Sequence, residues 1–120
     1  MKKLLIIDDE EGIVQEVRDY FSEEGWEVYS AYTGKKGLDL LNEVKGDVLI
    51  LDIKLPDMSG VHLLKISKEL QPAMKVILNT GYVDQSTFDD VEKLKPDAFL
   101  QKPFNLMKLS DEVSRLSKAG

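Results

Sequence analysis

The fold of this chain is decided by the stretch Val48-Leu49-Ile50-Leu51-Asp52-Ile53-Lys54-Leu55-Pro56-Asp57-Met58-Ser59-Gly60. Four apolar residues in a row end on the carboxylate of Asp52, and a Pro-Asp-x-x-Gly turn follows. An apolar run of this kind predicts a strand that is buried on both faces within a parallel sheet. Such strands end at the crevice where α/β folds place their ligands. By itself, the stretch leaves two interpretations of Asp52: it lies at the floor of a site, or it only caps the turn.

Composition narrows the class of protein. The chain has 120 residues, so we expect one domain, 1–120, and its 42% apolar content is too high for a disordered chain. It has no Cys and one His, His62, which excludes disulfides and argues against a zinc site. The net charge of −6 argues against nucleic-acid binding and suits a protein that binds cations or a basic patch. No apolar run is long enough for a membrane span or a signal peptide, so we expect no membrane association and a cytoplasmic protein.

Outward from the central stretch, apolar runs alternate with helical patterns. The predicted strands are Leu4–Ile7, Trp26–Ala31, Val48–Leu51, Met74–Asn79 and Ala98–Gln101. Apolar residues spaced three and four apart predict a helix after each strand, with these inner residues: Ile13, Val17 and Phe21; Leu38, Leu41 and Val44; Val61, Leu64 and Leu70; Phe88, Val91 and Leu94; Leu106, Leu109, Val113 and Leu116. Alternation of this kind predicts βαβ units and a parallel sheet with helices on both faces.

The ends of the predicted strands carry the residues with chemical function. Asp8 and Asp9 follow the first strand, Asp52 the third, Thr80 the fourth and Lys102 the fifth. Because the carboxyl ends of parallel strands share one edge of the sheet, we expect these groups to converge. Each residue alone has an ordinary explanation as a cap, a turn residue or a surface charge. Their joint placement predicts a functional site.

The charges at this edge predict the chemistry. Two carboxylates about 4 Å apart repel by roughly 4 kcal/mol at an effective dielectric of 20, so a group of them needs a counter-cation. Oxygen ligands without His or Cys favour Mg²⁺, Mn²⁺ or Ca²⁺, and a site that keeps several waters suits Mg²⁺, which usually works with a phosphate. Lys102 can bind one phosphoryl oxygen and the Thr80 hydroxyl another. Asp52 is then the nucleophile that forms an aspartyl phosphate.

At this point the sequence resembles the receiver domain of bacterial two-component response regulators over essentially the whole chain. The motifs that carry the resemblance are Ile6-Ile7-Asp8-Asp9-Glu10, Leu51-Asp52 with Leu55-Pro56-Asp57-Met58-Ser59-Gly60, Asn79-Thr80-Gly81 and Lys102-Pro103-Phe104. The resemblance implies a flavodoxin-like, doubly wound, five-stranded parallel sheet of order 2-1-3-4-5 with five helices. It also implies a phosphorylation-dependent signalling switch rather than an enzyme.

The resemblance further implies roles for single residues. Asp52 accepts a phosphoryl group from a histidine kinase or a phosphotransfer protein. Mg²⁺ is held by Asp8, Asp9, Asp52 and the backbone carbonyl of Lys54. The phosphoryl oxygens are bound by Thr80 and Lys102, and the Lys102-Pro103 bond is a candidate cis peptide.

The switch that the family uses maps onto two residues. The Thr80 hydroxyl would move toward the phosphate, and Phe99 would rotate inward behind it and change the surface of the fourth helix, fifth strand and fifth helix. That surface would contact a downstream effector protein or a fused output domain. The chain would act as a monomer, or as a dimer formed on phosphorylation. Lys54 and Tyr82 occupy positions that tune self-dephosphorylation, and their bulk predicts an aspartyl phosphate that is not unusually short-lived.

One rival function uses the same chemistry. A Mg²⁺-dependent phosphohydrolase of the haloacid dehalogenase class also forms an aspartyl phosphate, and it needs an acid two residues after its nucleophile. Lys54 occupies that position after Asp52, whereas Glu10 occupies it after Asp8 and keeps the rival open. The short chain leaves no room for a domain that would cap a substrate.

Overall fold

Five parallel strands form one sheet in the computed structural model, which describes residues 2–81 and 84–118. The strands are β1 (Lys3–Ile7), β2 (Glu27–Ala31), β3 (Val48–Asp52), β4 (Lys75–Thr80) and β5 (Ala98–Gln101). Their order across the sheet is β2-β1-β3-β4-β5, which confirms the predicted flavodoxin-like topology. The central strand β3 is buried along its whole length, whereas the edge strand β2 is mostly half-buried.

A helix follows each strand. The helices are α1 (Glu11–Glu23), α2 (Gly34–Glu43), α3 (Gly60–Leu70), α4 (Gln85–Leu94) and α5 (Leu106–Lys118). Four of them begin at a side-chain cap, where Thr33, Ser59, Asp84 and Asn105 accept hydrogen bonds from the backbone N–H groups of Lys36, Val61, Thr87 and Lys108. No helix within the described residues is long and apolar enough to cross a membrane.

Side chains on alternate positions of each strand pack into two separate cores. Ile50 and Ile77 belong to the core under α1 and α5, whereas Leu51 and Leu78 belong to the core under α2, α3 and α4. Each fully buried side chain of this size contributes about 1.5–3 kcal/mol to stability. This alternation determines which face of the sheet each residue at a strand end points to.

Of the sixteen predicted inner residues of the helices, eight are buried and six are half-buried, but the predictions for Phe88 and Leu70 are wrong. Phe88 is 39% exposed because its ring packs against the ring of Phe99, which itself lies at the surface.

Leu70 is 46% exposed, and Leu63, which was not predicted, is fully buried. The reason lies in the next residue, because the Gln71 amide turns inward and donates to the carbonyl oxygens of Leu41 and Val44 at 2.9 and 2.8 Å. Leu70, at the end of α3, is left facing solvent.

Candidate functional site

The carboxyl ends of the strands bring the predicted groups together at one edge of the sheet. Asp8 follows β1, Asp52 ends β3, Thr80 ends β4 and Lys102 follows β5. Asp8, Asp52 and Thr80 are buried. Buried carboxylates are stable only when they are paired or hydrogen-bonded, so their partners define the site.

The ammonium group of Lys102 lies between three carboxylates. Its Nζ atom is 3.1 Å from Oδ2 of Asp8, 3.1 Å from Oδ2 of Asp52 and 2.6 Å from Oε1 of Glu10. The lysine side chain is 11% exposed, so water screens these pairs only weakly. Lys102 therefore supplies the positive charge that balances the acidic edge.

Backbone N–H groups also donate hydrogen bonds to the two buried carboxylates, Asp8 and Asp52. Oδ1 of Asp8 accepts from the N–H of Glu10 at 2.9 Å, and Oδ1 of Asp52 accepts from the N–H of Lys54 at 3.1 Å. In both cases the donor lies two residues after the acid, as in an Asx turn. This leaves Oδ2 of each carboxylate directed at the ammonium group.

The shape of the loop after Asp52 depends on contacts within the loop and on contacts with the start of α2. The N–H of Gly60 donates to the carbonyl oxygen of Ile53 at 2.6 Å, and the loop closes through an antiparallel bridge between Lys54 and Ser59. The carboxylate of Asp57 accepts from the N–H groups of Gly34 and Lys35 at 2.7 and 2.9 Å. The Pro56–Gly60 turn is thereby fixed to the start of α2, which holds the Lys54 backbone beside Asp52.

Burial and neighbouring charges shift the pKa values of the three central groups. Desolvation by burial, helped by the Asp52 charge, raises the pKa of Asp8 to about 6 against the opposing effect of Lys102. Burial also raises the pKa of Asp52, although Lys102 opposes the shift. Burial lowers the pKa of Lys102, but hydrogen bonds to Glu10 and Asp8 and the charges of Asp8 and Asp52 outweigh it and raise that pKa above its usual value. Lys102 is thus held in its charged form.

The carboxylates are arranged so that they could hold a divalent cation. One oxygen from each of Asp8, Glu10 and Asp52 lies within 4.8 Å of the other two. Oδ2 of Asp8 is buried and, apart from its ion pair with Lys102 at 3.1 Å, has no hydrogen-bond partner among the described residues. A donor set made only of oxygens fits a hard cation such as Mg²⁺, Mn²⁺ or Ca²⁺.

Asp9 stands apart from the other acids. Its side chain is exposed and is not one of the three carboxylates that cluster within 4.8 Å, but its charge contributes to the raised pKa of Asp52. The role of Asp9 as a metal ligand therefore stays a prediction, as does that of the Lys54 carbonyl.

The two residues of the predicted switch lie on neighbouring strands. The hydroxyl of Thr80 is buried and has no hydrogen-bond partner among the described residues. Phe99 is 37% exposed, and its ring packs edge-to-face on that of Phe88 with centroids 6.4 Å apart. Thr80 is therefore free to find a new partner, and Phe99 has an outward position from which it could turn. Their movement stays a prediction.

Two further expectations concern the loops after β4 and β5. The Lys102-Pro103 peptide bond is cis, as predicted. Tyr82, predicted to tune self-dephosphorylation with Lys54, lies outside the described residues. The exposed His62 does not take part in the site.

Sequence reasoning missed two residues at this edge. Glu10 entered only as the last residue of a motif and as a feature of a rival enzyme, yet it is the nearest carboxylate to Lys102. Asn79 entered only as part of a strand and a motif, yet its amide is fully buried and neither Oδ1 nor Nδ2 has a partner among the described residues. The sequence feature that could have identified Asn79 is its position as a polar residue directly after the apolar run Val76-Ile77-Leu78. A buried amide without partners typically costs about 1–3 kcal/mol.

Comparison with known proteins agrees with this geometry. The family model described as response regulator receiver domain matches residues 4–114. Sporulation initiation phosphotransferase F of Bacillus subtilis is 30% identical over 114 residues, which cover 95% of this chain and 92% of the relative. Regulatory protein AtoC of Escherichia coli is 33% identical over 117 residues and 96% of this chain, but the match covers only 25% of AtoC. The chain thus spans nearly all of one relative and about a quarter of the other.

Solved structures show the same fold. A CheY-like response regulator receiver domain protein from Methanospirillum hungatei is 33% identical with a TM-score of 0.88, over 100% of this chain and 99% of that chain. The response regulator TrrA from Thermotoga maritima, solved in complex with Mg(2+)-BeF, is 30% identical with a TM-score of 0.83. That match covers 97% of this chain and 99% of TrrA.

Proposed function

Since this chain belongs to the response regulator receiver domain family, we propose that it is a signalling switch that accepts a phosphoryl group on Asp52 in a Mg²⁺-dependent reaction. The observation that carries the proposal is the pairing of a buried nucleophile with a cation, because Oδ2 of Asp52 lies 3.1 Å from Nζ of Lys102. The donor would be a histidine kinase or a phosphotransfer protein.

The transfer is a single displacement at phosphorus. A carboxylate oxygen of Asp52 attacks the phosphorus of a phosphohistidine, an O–P bond forms and the P–N bond breaks. The electron pair of the P–N bond stays on the imidazole nitrogen, which takes up one proton from water, so that a neutral histidine is left. Positioning and charge neutralisation supply most of the catalysis in phosphoryl transfer. Lys102 can serve both, since it already lies against Asp52.

Mg²⁺ would be held by Asp8, Asp9, Asp52 and the backbone carbonyl of Lys54. Support comes from the all-oxygen donor set at the acidic edge and from the similar regulator TrrA of Thermotoga maritima, which was solved with Mg(2+)-BeF bound. When bound, Mg²⁺ neutralises charge on phosphoryl oxygens, and Mn²⁺ could replace it. Thr80 and Lys102 would bind the phosphoryl oxygens that the cation leaves free.

The response to phosphorylation would be a change in the surface formed by α4, β5 and α5. The Thr80 hydroxyl would turn toward the phosphoryl group, and Phe99 would rotate into the space behind it, read by packing because Phe99 has no hydroxyl. Fluorine-labelled phenylalanine tests this: the ¹⁹F resonance of Phe99 should lose solvent accessibility on phosphorylation, while that of Phe104 should not. An unchanged Phe99 signal in a phosphorylated sample would remove this residue from the switch.

Membership of the receiver domain family supports further proposals on turnover, location and partners. Receiver domains are signalling domains rather than conventional enzymes, and we propose that self-dephosphorylation here is slow. We place the protein in the cytoplasm, where it would pass the signal to an effector protein or an output domain. Its acidic charge argues against direct nucleic-acid binding by this domain. We expect a monomer, with dimerisation on phosphorylation as the alternative to be measured.

Incubation with phosphoramidate and Mg²⁺ tests the function directly. Intact mass spectrometry should show one added phosphoryl group, and peptide mapping should place it on Asp52. The Asp52→Asn variant should remain unmodified, whereas Asp39→Asn, the same change at an exposed position on α2, should be modified like the wild type. Modification elsewhere, or none, would overturn the proposal. Repeated turnover of phosphate esters with Asp8 as nucleophile would favour the phosphohydrolase instead.

A further inference from the structure

The end of β4 carries, on each face of the sheet, one buried polar side chain that has no hydrogen-bond partner within residues 2–81 and 84–118. Thr80 follows the alternation of Val76 and Leu78, and Asn79 that of Ile77. Thr80 is the predicted switch residue, whereas nothing in the proposed function uses Asn79. Its side chain is fully buried, and both its donor and its acceptor lack partners among the described residues.

Asn79 lies on β4, between β3, which ends at Asp52, and β5, which is followed by Lys102. Asp52 and Lys102 are called the reacting pair below. In the register of the sheet Asn79 is opposite Asp52 on β3 and opposite Leu100 on β5, two residues before Lys102. Ile50 and Ile77 share one core, so by alternation Asp52 and Asn79 also point to the same face. The amide of Asn79 is therefore on the same side of the sheet as Asp52, one strand away from it.

An amide is an unfavourable choice for this position unless it has a use. Leucine has the same number of side-chain heavy atoms in the same branched arrangement and would occupy the position without a buried polar group. Unpartnered buried polar groups in native proteins call for an explanation, and a functional role is one of the recognised ones. The location of Asn79 beside the reacting pair indicates what that role is.

We propose that Asn79 is a positioning residue, whose side-chain amide hydrogen-bonds to the Asp52–Lys102 pair once Asp52 carries a phosphoryl group. This inference rests on the proposed function. In the unphosphorylated chain, Oδ2 of Asp52 has Lys102 as its partner at 3.1 Å. Phosphorylation removes the carboxylate charge of Asp52 and gives Lys102 phosphoryl oxygens to bind. The Nδ2–H₂ group of Asn79 can then donate to the Asp52 oxygen that Lys102 releases, and Oδ1 can accept from the lysine.

The first experiment compares Asn79→Leu with the wild type. Both proteins are incubated with a fixed concentration of phosphoramidate and Mg²⁺, and the ratio of phosphorylated to unphosphorylated protein is measured at steady state. Loss of the hydrogen bond that Nδ2 donates to Asp52 in the phosphorylated state should by itself lower this ratio about two- to twelvefold. Loss of the bond that Oδ1 accepts from Lys102 should lower it further. In the absence of donor and Mg²⁺, Asn79→Leu should melt at a higher temperature than the wild type, because the buried amide is gone.

Two variants serve as controls. Asn79→Thr, which keeps a polar atom at the position, should recover part of the lost phosphorylation. Ile77→Val, on the same strand and face but away from the strand end, should leave the ratio unchanged. If Asn79→Leu fails to fold, the comparison of Asn79→Thr with the wild type still gives the sign of the effect.

A spectroscopic signature separates positioning from packing. The chain has three asparagines, Asn42, Asn79 and Asn105, so their side-chain amide resonances can be assigned by substitution. The Asn79 amide should shift and exchange more slowly with solvent after phosphorylation. Asn42 and Asn105 already hydrogen-bond to backbone groups, and their resonances should stay in place.

The outcomes distinguish the two proposals. A wild-type chain that is not phosphorylated on Asp52 would overturn the proposed function and this inference with it. A wild type that is phosphorylated, with an equal steady-state ratio in Asn79→Leu and a silent Asn79 amide, would overturn the positioning role alone.

Discussion

The Nζ atom of Lys102 lies 2.6 Å from Oε1 of Glu10, closer than it lies to any carboxylate oxygen of Asp8 or Asp52, which are 3.1 Å or more away. The glutamate is also the more exposed partner, because 57% of its side chain is accessible. In the proposed function, this solvent-facing acid would take part of the positive charge that an incoming phosphoryl group needs. We therefore expect Glu10 to compete with a phosphodonor for Lys102.

We expect Glu10→Gln to raise the initial rate of phosphorylation by phosphoramidate. The substitution removes a negative charge at the mouth of the site and weakens one of the three contacts that hold Lys102. Exposed ion pairs contribute up to about 1 kcal/mol, so the increase should be at most about fivefold. Glu16→Gln is the matched control, since it makes the same charge change at an exposed position on α1. A slower Glu10→Gln variant would mean that Glu10 assists the reaction.

The identity of the third acidic metal ligand can be measured. We expect Asp9→Asn to weaken Mg²⁺ binding about tenfold or more, as measured by calorimetry. Even the loss of an indirect partner of a metal lowers the affinity by about this factor. In the absence of Mg²⁺ the same variant should melt at a higher temperature, because the Asp9 charge repels Asp52. Glu10→Gln should have the smaller effect on Mg²⁺ affinity. The reverse order would assign the third ligand to Glu10, which lies in the carboxylate cluster.

In the absence of Mg²⁺, the Asp8 carboxyl should make stability fall as the pH rises. Burial raises its pKa from 3.8 to about 6, so between these values the folded chain binds more proton than the unfolded chain. The contribution of Asp8 to the free energy of unfolding is thus largest below pH 4 and is lost as the pH rises through 6. The loss corresponds to about 3 kcal/mol for a shift of about 2 units.

Urea denaturation between pH 4 and 7 measures this effect as the difference between the wild type and Asp8→Asn. The difference isolates Asp8 from carboxyls whose pKa is lowered, such as Asp57 and Asp84. Parallel pH profiles of the two proteins would show that Asp8 titrates normally.

Gly60 should be intolerant of any side chain. A Cβ atom there would overlap the carbonyl oxygen of Asp52 and the backbone of Ile53, which cannot move without displacing the end of β3. We expect Gly60→Ala to destabilise the fold by about 1–3 kcal/mol or more and to slow phosphorylation of Asp52. Gly12→Ala is the control, because open space surrounds that position in α1, and it should stabilise the fold by about 0.4–1 kcal/mol. Equal stability of the two variants would contradict the packing argument.

The predictions from sequence held where the signal was local. The apolar run from Val48 to Leu51 became the central strand, and a helix follows each of the five predicted strands. The prediction failed at Leu70, where helical periodicity indicated burial and the end of the helix faces solvent. Periodicity describes a single helix, but burial depends on the elements that pack against that helix. At the end of α3 the Gln71 side chain, rather than Leu70, turns inward and hydrogen-bonds to Leu41 and Val44.

The order of strands and helices along the chain could be predicted from the sequence. So could the convergence of Asp8, Asp52, Thr80 and Lys102 at the carboxyl edge of the sheet. Both predictions were possible because hydrophobic periods and turn residues act over a few positions, and because parallel strands must end together. Only the tertiary structure decided that Glu10 is the nearest partner of Lys102 and that Asn79 has none among the described residues. Those facts depend on distances between residues far apart in the chain, which follow from sheet register and helix packing.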